Sequence, residues 1–216
     1  MLYRVRDKRR ERFCPPDSDP SFPIRFIEEV SSAPSRDELL WVIARWLSRM
    51  FPSHRASLTL QNDEENLAVV VFNGNDAIPR GSTLSIENTA AGQAFRHKEV
   101  WITSDTRSDA PDMADLQVLA DNNLNSCISV PLIMSGHCFG CLNLAHRERG
   151  AYDDPDIPKL RALAFWIASK LDHYECVRII SDAMQRERNN QEKLDQLAKY
   201  DGLTGLLNRY QFTTEL

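Results

Sequence analysis

The spacing of the cysteines in this chain decides whether they can form a redox pair or a metal site. Two of its five cysteines, Cys138 and Cys141, have the C-x-x-C spacing of redox and zinc sites. They fall in a strand-like segment, where residues i and i+3 point to opposite faces, so these thiols are predicted not to meet. Cys127 shares the face of Cys138 but lies about six residues, roughly 20 Å, away along the expected sheet. We therefore expect buried thiols that behave as small hydrophobic residues.

The histidines give no metal signature. His54, His97, His137, His146 and His173 lack the spacing of a zinc or other metal site, so surface positions are expected and no metal is predicted. The alternative that one of these histidines binds a haem iron is left open. We predict no cofactor for this chain itself.

A third stretch with chemical meaning lies near the C-terminus, in the pattern D-x-L-T-G-L-x-N-R. Its specified residues are Asp201, Leu203, Thr204, Gly205, Leu206, Asn208 and Arg209. The pattern resembles the opening of a GGDEF domain, the catalytic domain of diguanylate cyclases. The resemblance implies condensation of two GTP into cyclic di-GMP with Mg²⁺, in a dimer whose two output domains face each other. The alternative is a helix C-cap at Gly202 followed by a turn and a new helix.

The resemblance covers only about residues 196–216, and the GG(D/E)EF loop is not in the sequence. This chain is therefore expected to be the regulatory half of a cyclase and to have no cyclase activity itself. Residues 200–216 are predicted to be the start of the output domain.

Periodicity predicts the elements that precede this motif. Ser35, with Glu38 three residues on, is a capping box for a helix with one apolar face. Alternation from Ala56 to Leu60 predicts a half-buried strand, and the uninterrupted apolar run Leu67 to Phe72 predicts a central strand covered on both faces. Residues 126–132 and 137–146 predict a hairpin with a two-residue turn, in which Val130 pairs with Cys141 and Leu132 with Phe139. A helix from Asp153 or Asp154 is predicted to run to about Lys199.

The middle of the chain, residues 22–175, resembles a GAF domain. The matching segments are Gly92-x-x-Phe95, Trp101-Ile102-x-Ser104-Asp105, Ser129-Val130-Pro131-Leu132 and Gly136-x-x-Phe139-Gly140-x-Leu142-x-Leu144. The resemblance implies an α+β fold: an antiparallel sheet with helices on both faces, a small-molecule pocket and a long C-terminal coiled-coil helix. Two alternatives are a ligand-free structural dimerisation module and a free-methionine sulfoxide reductase-like GAF domain that uses cysteines.

The pocket is expected near the short strand and loop after the Gly92 helix. Trp101, Thr103 and Asp105 are candidates, with Phe72 and Asn143 beside them, because an aromatic wall with convergent polar groups is typical of small-molecule sites. The alternative for Trp101 is an ordinary core position. These residues alone therefore do not distinguish a sensory domain from a structural one.

The exit helix carries an apolar stripe that continues past the expected end of the domain. Because residues 176–199 have no sheet left to cover, we predict a parallel homodimer through a coiled-coil linker. The predicted seam comprises Leu171, Tyr174, Val177, Met184, Leu194 and Leu197.

Charge and hydropathy exclude several other classes. The net charge is −5, although residues 1–12 hold six basic side chains, so residues 1–21 are predicted to be a disordered basic tail on an acidic body. An acidic body makes nucleic acid an unlikely partner. No apolar run approaches the ~18 residues of a membrane span. The five cysteines, an odd number at irregular spacing, do not have the pattern of the disulfide framework of a secreted protein, so a cytoplasmic protein is expected.

Overall fold

A computed structural model describes residues 2–4, 22–109, 111–152 and 156–199. Five helices and seven strands occur in this part of the chain. The helices are α1 (Ile24–Ser31), α2 (Arg36–Met50), α3 (Ala90–His97), α4 (Ala114–Asp121) and α5 (Asp156–Lys199). The strands are β1 (Leu2–Arg4), β2 (Arg55–Gln61), β3 (Asn66–Gly74), β4 (Thr83–Ser85), β5 (Trp101–Thr103), β6 (Ser126–Met134) and β7 (His137–His146).

The seven strands form one antiparallel sheet in the order β1-β5-β6-β7-β2-β3-β4. This is the α+β architecture that the resemblance implied. The prediction of a structureless tail over residues 1–21 omitted β1, which pairs with β5 at the edge of the sheet. Residues 5–21 lie outside the described part of the chain.

One face of the sheet is covered by the terminal helices. Ser35 caps α2, its hydroxyl accepting the Glu38 N–H at 3.2 Å, as the capping pattern predicted. The Phe26 ring of α1 lies 5.9 Å from the Trp46 ring of α2 and 5.6 Å from the Trp166 ring of α5. These aromatic contacts join three helices around one fully buried side chain.

The burial of the central strands differs from the prediction. β2 lies between β7 and β3 and is buried at six of its seven positions, so Ser57 and Thr59 are inside rather than on a solvent face. β3 has only the short β4 on its other side, and its burial alternates instead of being continuous. Alternation of apolar and small polar residues in β2 therefore does not indicate an exposed face, because Ser57 and Thr59 are small enough to be buried in a central strand.

The predicted hairpin is present, but its strands pair in a different register from the predicted one. A bulge between Leu132 and Ile133 places Gly140 opposite Leu132, so Val130 pairs with Leu142 and not with Cys141. Only glycine fits at position 140 beside the bulge. Any other residue would place its Cβ 1.9 Å from the carbonyl oxygen of Thr59 on the neighbouring strand.

The chain divides into two compact units, residues 1–171 and 172–216. Helix α5 is continuous from Asp156 to Lys199, as predicted. Of the predicted seam, Leu171 is buried in the core of the first unit, whereas Val177, Met184 and Leu194 are exposed. Tyr174 is half-buried, and the side chain of Leu197 is outside the described residues.

Candidate functional site

A row of five side chains crosses the middle of the sheet on the face that α3 and α4 cover. Strand pairing sets Trp101 opposite Ser129, Ser129 opposite Asn143, Asn143 opposite Ser57, and Ser57 opposite Phe72. Directly paired residues point to the same face of a sheet. The row therefore places two aromatic side chains at its ends and three small polar ones between them.

An internal cavity of about 30 Å³ lies over the centre of this row. Its polar lining consists of Arg55, Ser57, Thr59, Asp115, Ser129 and Asn143. Apolar walls come from β3, β4, α3, α4 and the loop after β3, through residues such as Val69, Leu84, Ala91 and Leu119. A volume of this size accommodates about two water molecules. The cavity is thus small, with polar side chains on much of its wall.

Asn143 is the polar side chain at the centre of the row. Its amide nitrogen donates to the Thr59 hydroxyl and to the Cys141 carbonyl, both at 3.3 Å. Its Oδ1 atom is buried and has no hydrogen-bond partner among the described residues, and the same holds for Nε1 of Trp101. A buried polar atom without a partner costs roughly 1–3 kcal/mol, so a hydrogen-bond donor in the cavity would stabilise the Oδ1 atom of Asn143, whereas Trp101 is not part of the cavity wall.

Asp115 joins the N-termini of two helices from inside the cavity wall. It lies in the first turn of α4, and its Oδ1 and Oδ2 atoms accept the N–H groups of Ala90 and Ala91 at 3.0 and 3.2 Å, at the start of α3. Oδ1 also accepts the Leu116 N–H at 2.9 Å. Burial raises the pKa of Asp115, while these N–H groups and the positive ends of the helix dipoles act in the opposite direction.

Arg55, at the start of β2, is a buried cation on the same cavity. Its guanidinium donates to the backbone carbonyls of Asn75 and Ile78 and stacks over the Phe72 ring, with Cζ 4.8 Å from the centroid. Burial lowers its pKa to about 10, and Asp76 counteracts this in part. Among the described residues no carboxylate is within ion-pair distance of it, so the groups in direct contact with its charge are carbonyl oxygens and an aromatic face.

The structure brings together some of the predicted pocket residues and separates others. Asn143 lines the cavity, and Phe72 and Trp101 end the row. Thr103 is fully buried on the same face, opposite Cys127, but is not part of the cavity wall. Asp105 lies in the loop after β5, where its carboxylate pairs with Arg149 at 3.3 Å.

Five polar residues of the wall were not predicted from the sequence: Arg55, Ser57, Thr59, Asp115 and Ser129. Ser57 and Ser129 could have been found from a correct strand register, because each pairs with Asn143. No sequence signal distinguishes Arg55 or Asp115 from exposed charged residues of the same type.

The cysteines are buried as predicted, but their placement differs. The bulge puts Cys138 opposite Ile133 and Cys141 opposite Pro131, so both point to the cavity face rather than to opposite faces. Burial raises the pKa of Cys127 to about 12, and it also raises the pKa of Cys138 and of Cys141. Thiols held in the protonated form are poor nucleophiles, so the site does not favour cysteine chemistry.

The described part of the chain holds no group of three or more His, Cys, Asp or Glu side chains that could bind a metal ion. Its helices include none with the length and apolar character needed to cross a membrane. Asp201 to Arg209 lie outside the described residues.

Comparison with known proteins identifies the class of this fold. The family model for the GAF domain matches residues 33–172, and the chain belongs to the GAF domain family. A GAF domain is a regulatory and sensory module. No curated protein matches the chain.

Solved structures of the same fold include three of known source. The GAF domain of a phosphoenolpyruvate-protein phosphotransferase from Coxiella burnetii is 18% identical, with a TM-score of 0.64 over 72% of this chain and 94% of that one. The free methionine-R-sulfoxide reductase of Neisseria meningitidis, solved with its substrate, is 18% identical, with a TM-score of 0.61 over 71% and 88%. A GAF domain/HD domain protein from Geobacter sulfurreducens is 18% identical, with a TM-score of 0.58 over 68% and 98%. At this identity the likeness concerns the fold.

Proposed function

We propose that this chain is the sensory and dimerising part of a diguanylate cyclase, with a small molecule bound in the cavity over Asn143. The observation that carries the sensory role is the polar interior of that cavity. An interior built only for stability would fill this space with apolar side chains, whereas here two charged and four polar residues line it. A polar interior with unpaired atoms is a cost to folding that a ligand would repay.

The link to a cyclase comes from the sequence pattern Asp201 to Arg209, and with it the implied chemistry of two GTP and Mg²⁺ in the catalytic domain. Seven specified positions without a gap carry it. In this proposal the GAF domain of the chain has the regulatory role in that reaction. Residues 176–199 are proposed as the coiled-coil linker between sensor and output.

The dimer proposal is supported by the surface of α5 beyond the first unit. Val177, Ile180, Met184 and Leu194 are all more than half exposed. Val177 and Met184 are one heptad apart and occupy the a position. Ile180 and Leu194 are two heptads apart and occupy the d position, and apolar a and d positions are typical of a two-helix seam. Leu171 leaves the seam because it is buried in the first unit. A second copy in parallel orientation would cover this stripe and bring two output domains together.

A chimaera tests the proposal. Residues 1–209 are joined to a GGDEF catalytic domain at its own D-x-L-T-G-L-x-N-R segment, and cyclic di-GMP formation from GTP and Mg²⁺ is followed by chromatography. We expect product from the chimaera, and at least a tenfold loss when Met184 and Leu194 are replaced by Glu. The double substitution places like charges across the seam. A chimaera whose activity and sedimentation are unchanged by Met184→Glu and Leu194→Glu would contradict the proposed seam.

A second candidate function is a structural GAF module that dimerises without a ligand. The small volume of the cavity favours it, because ligand pockets usually enclose about 300–1,000 Å³. The two candidates differ in how the melting temperature responds to metabolites. A structural module has a constant melting temperature across a broad metabolite screen, whereas a sensor gains stability with its ligand.

A further inference from the structure

The cavity wall carries a buried guanidinium and a buried carboxyl group that form no ion pair with each other. Arg55 is bound by the carbonyls of Asn75 and Ile78, and Asp115 is bound by backbone N–H groups of α3 and α4. Both side chains are at least nine-tenths buried. Buried charges are normally paired, because an isolated charge away from water is costly. Each of these two groups is hydrogen-bonded to backbone groups, and Asp76, which acts on the Arg55 charge, forms no ion pair with it.

From this arrangement we infer that the ligand is a small zwitterion, a free α-amino acid by chemical class. This inference rests on the proposed sensory function and specifies its ligand. A carboxylate matches the guanidinium of Arg55, which has five N–H donors and uses two of them on the backbone carbonyls of Asn75 and Ile78. An ammonium group matches Asp115, whose Oδ2 accepts a single N–H and retains further acceptor capacity.

The wall between the two charges fits the same ligand. Asn143 lies between Ser57 and Ser129 in the row. Its unpaired Oδ1 atom can accept a hydrogen bond from an N–H group of the ligand. The cavity holds about two water molecules, so an amino acid would displace water and would need the walls from α3 and α4 to make room for it. In this proposal the ammonium group binds at the Asp115 carboxylate, which joins these two helices.

Thermal unfolding with defined probes tests the inference. Glycine, L-alanine, L-serine and L-methionine are titrated against the full chain, with acetate and methylammonium as the two half-ligands. We expect at least one amino acid to raise the melting temperature by about 3–6 °C for each tenfold increase above its Kd, and the half-ligands to give no shift at the same concentration.

Three variants distinguish the contacts. Asp115→Asn keeps the shape of the side chain but removes the charge, and should weaken amino-acid binding at least tenfold. Because a buried position can fail to fold, Ser129→Val provides a second variant: it fills the cavity without removing a charge, and should abolish the shift. Thr83→Val, on the exposed face of β4, is the matched control and should bind as the wild type does.

The outcomes separate the two levels of the proposal. A shift with other metabolites, blocked by Ser129→Val, but none with amino acids would overturn the zwitterion and leave the sensor standing. No shift with any compound would overturn both. Amino-acid binding that survives both Asp115→Asn and Ser129→Val would place the ligand outside this cavity and overturn the inference.

Discussion

Replacing Asn143 by leucine tests whether the centre of the cavity is built for stability or for binding. The side chains have similar shapes, and the change removes the unpaired Oδ1, whose burial costs roughly 1–3 kcal/mol. It also removes two hydrogen bonds of 3.3 Å, to Thr59 and Cys141, each worth at most about 1 kcal/mol. The Thr59 hydroxyl still donates to the Cys141 carbonyl at 3.4 Å, so neither former partner is left without a bond.

The expected result is a net stabilisation of about 1 kcal/mol, because the apolar side chain also gains burial in place of the orphaned oxygen. For a chain of this size that corresponds to a rise of about 2–4 °C in melting temperature. Asn143→Ala serves as the comparison: it removes the same polar atoms but enlarges the cavity, and should be about 2 kcal/mol less stable than Asn143→Leu.

Chemical denaturation of the three proteins at one pH gives these free energies directly. A loss of more than 1 kcal/mol in Asn143→Leu would mean that Oδ1 is well paired, by ordered water for example, and would remove the argument that this site sacrifices stability. If stabilisation and loss of ligand response occur together in Asn143→Leu, the polar row serves binding.

Three more outcomes are expected. Gly140→Ala should cost about 3 kcal/mol, since its Cβ would meet the Thr59 carbonyl oxygen at 1.9 Å, whereas Gly136→Ala, in open space at φ +79°, should cost only about 1 kcal/mol in denaturant melts. The structure also predicts acid sensitivity: burial and the neighbouring His146 ring, 4.3 Å away, lower the pKa of His54. The unfolded chain therefore takes up this proton at a higher pH than the folded one, and stability falls as the pH drops below about 6.5. His54→Gln should flatten that pH dependence, and an unchanged slope would exclude His54 as its source. Finally, the wild-type chain should sediment as a dimer at micromolar concentration and the Met184→Glu, Leu194→Glu chain as a monomer with an unchanged far-UV spectrum.

The sequence could predict the elements and the fold because these depend on local patterns. The capping pair Ser35 and Glu38, the hairpin turn at Gly136 and the length of α5 are each specified by a few neighbouring residues, and the structure has all three. The α+β sheet with covering helices then followed from the resemblance of segments between Gly92 and Leu144.

Register and charge burial could not be predicted in the same way. The bulge opposite Leu132 depends on the close approach of Gly140 to Thr59, 81 positions earlier in the chain, and no local pattern contains that contact. One extra residue at the bulge changed the face assigned to Cys141 and hid the pairing of Ser129 with Asn143. Asp115 and Arg55 look like solvent-exposed charges in sequence, since their partners are backbone groups of distant segments.

These errors have a common physical origin that also bears on function. The prediction failed where a polar residue lies at a position that a stable core would give to an apolar one. These positions are Ser57 and Thr59 in a central strand, Asn143 and Ser129 beside them, and the buried Arg55 and Asp115 on the cavity wall. On the opposite face of β6 and β7, Ile128, Val130, Leu132, Leu142 and Leu144 are aliphatic with almost no exposure, so the fold can build an apolar interior where nothing else is required. The departure is confined to one face and to one cavity. Such local conflict between pattern and burial is expected at functional sites, and it is the reason that the ligand is proposed to bind in the space between the sheet and Asp115.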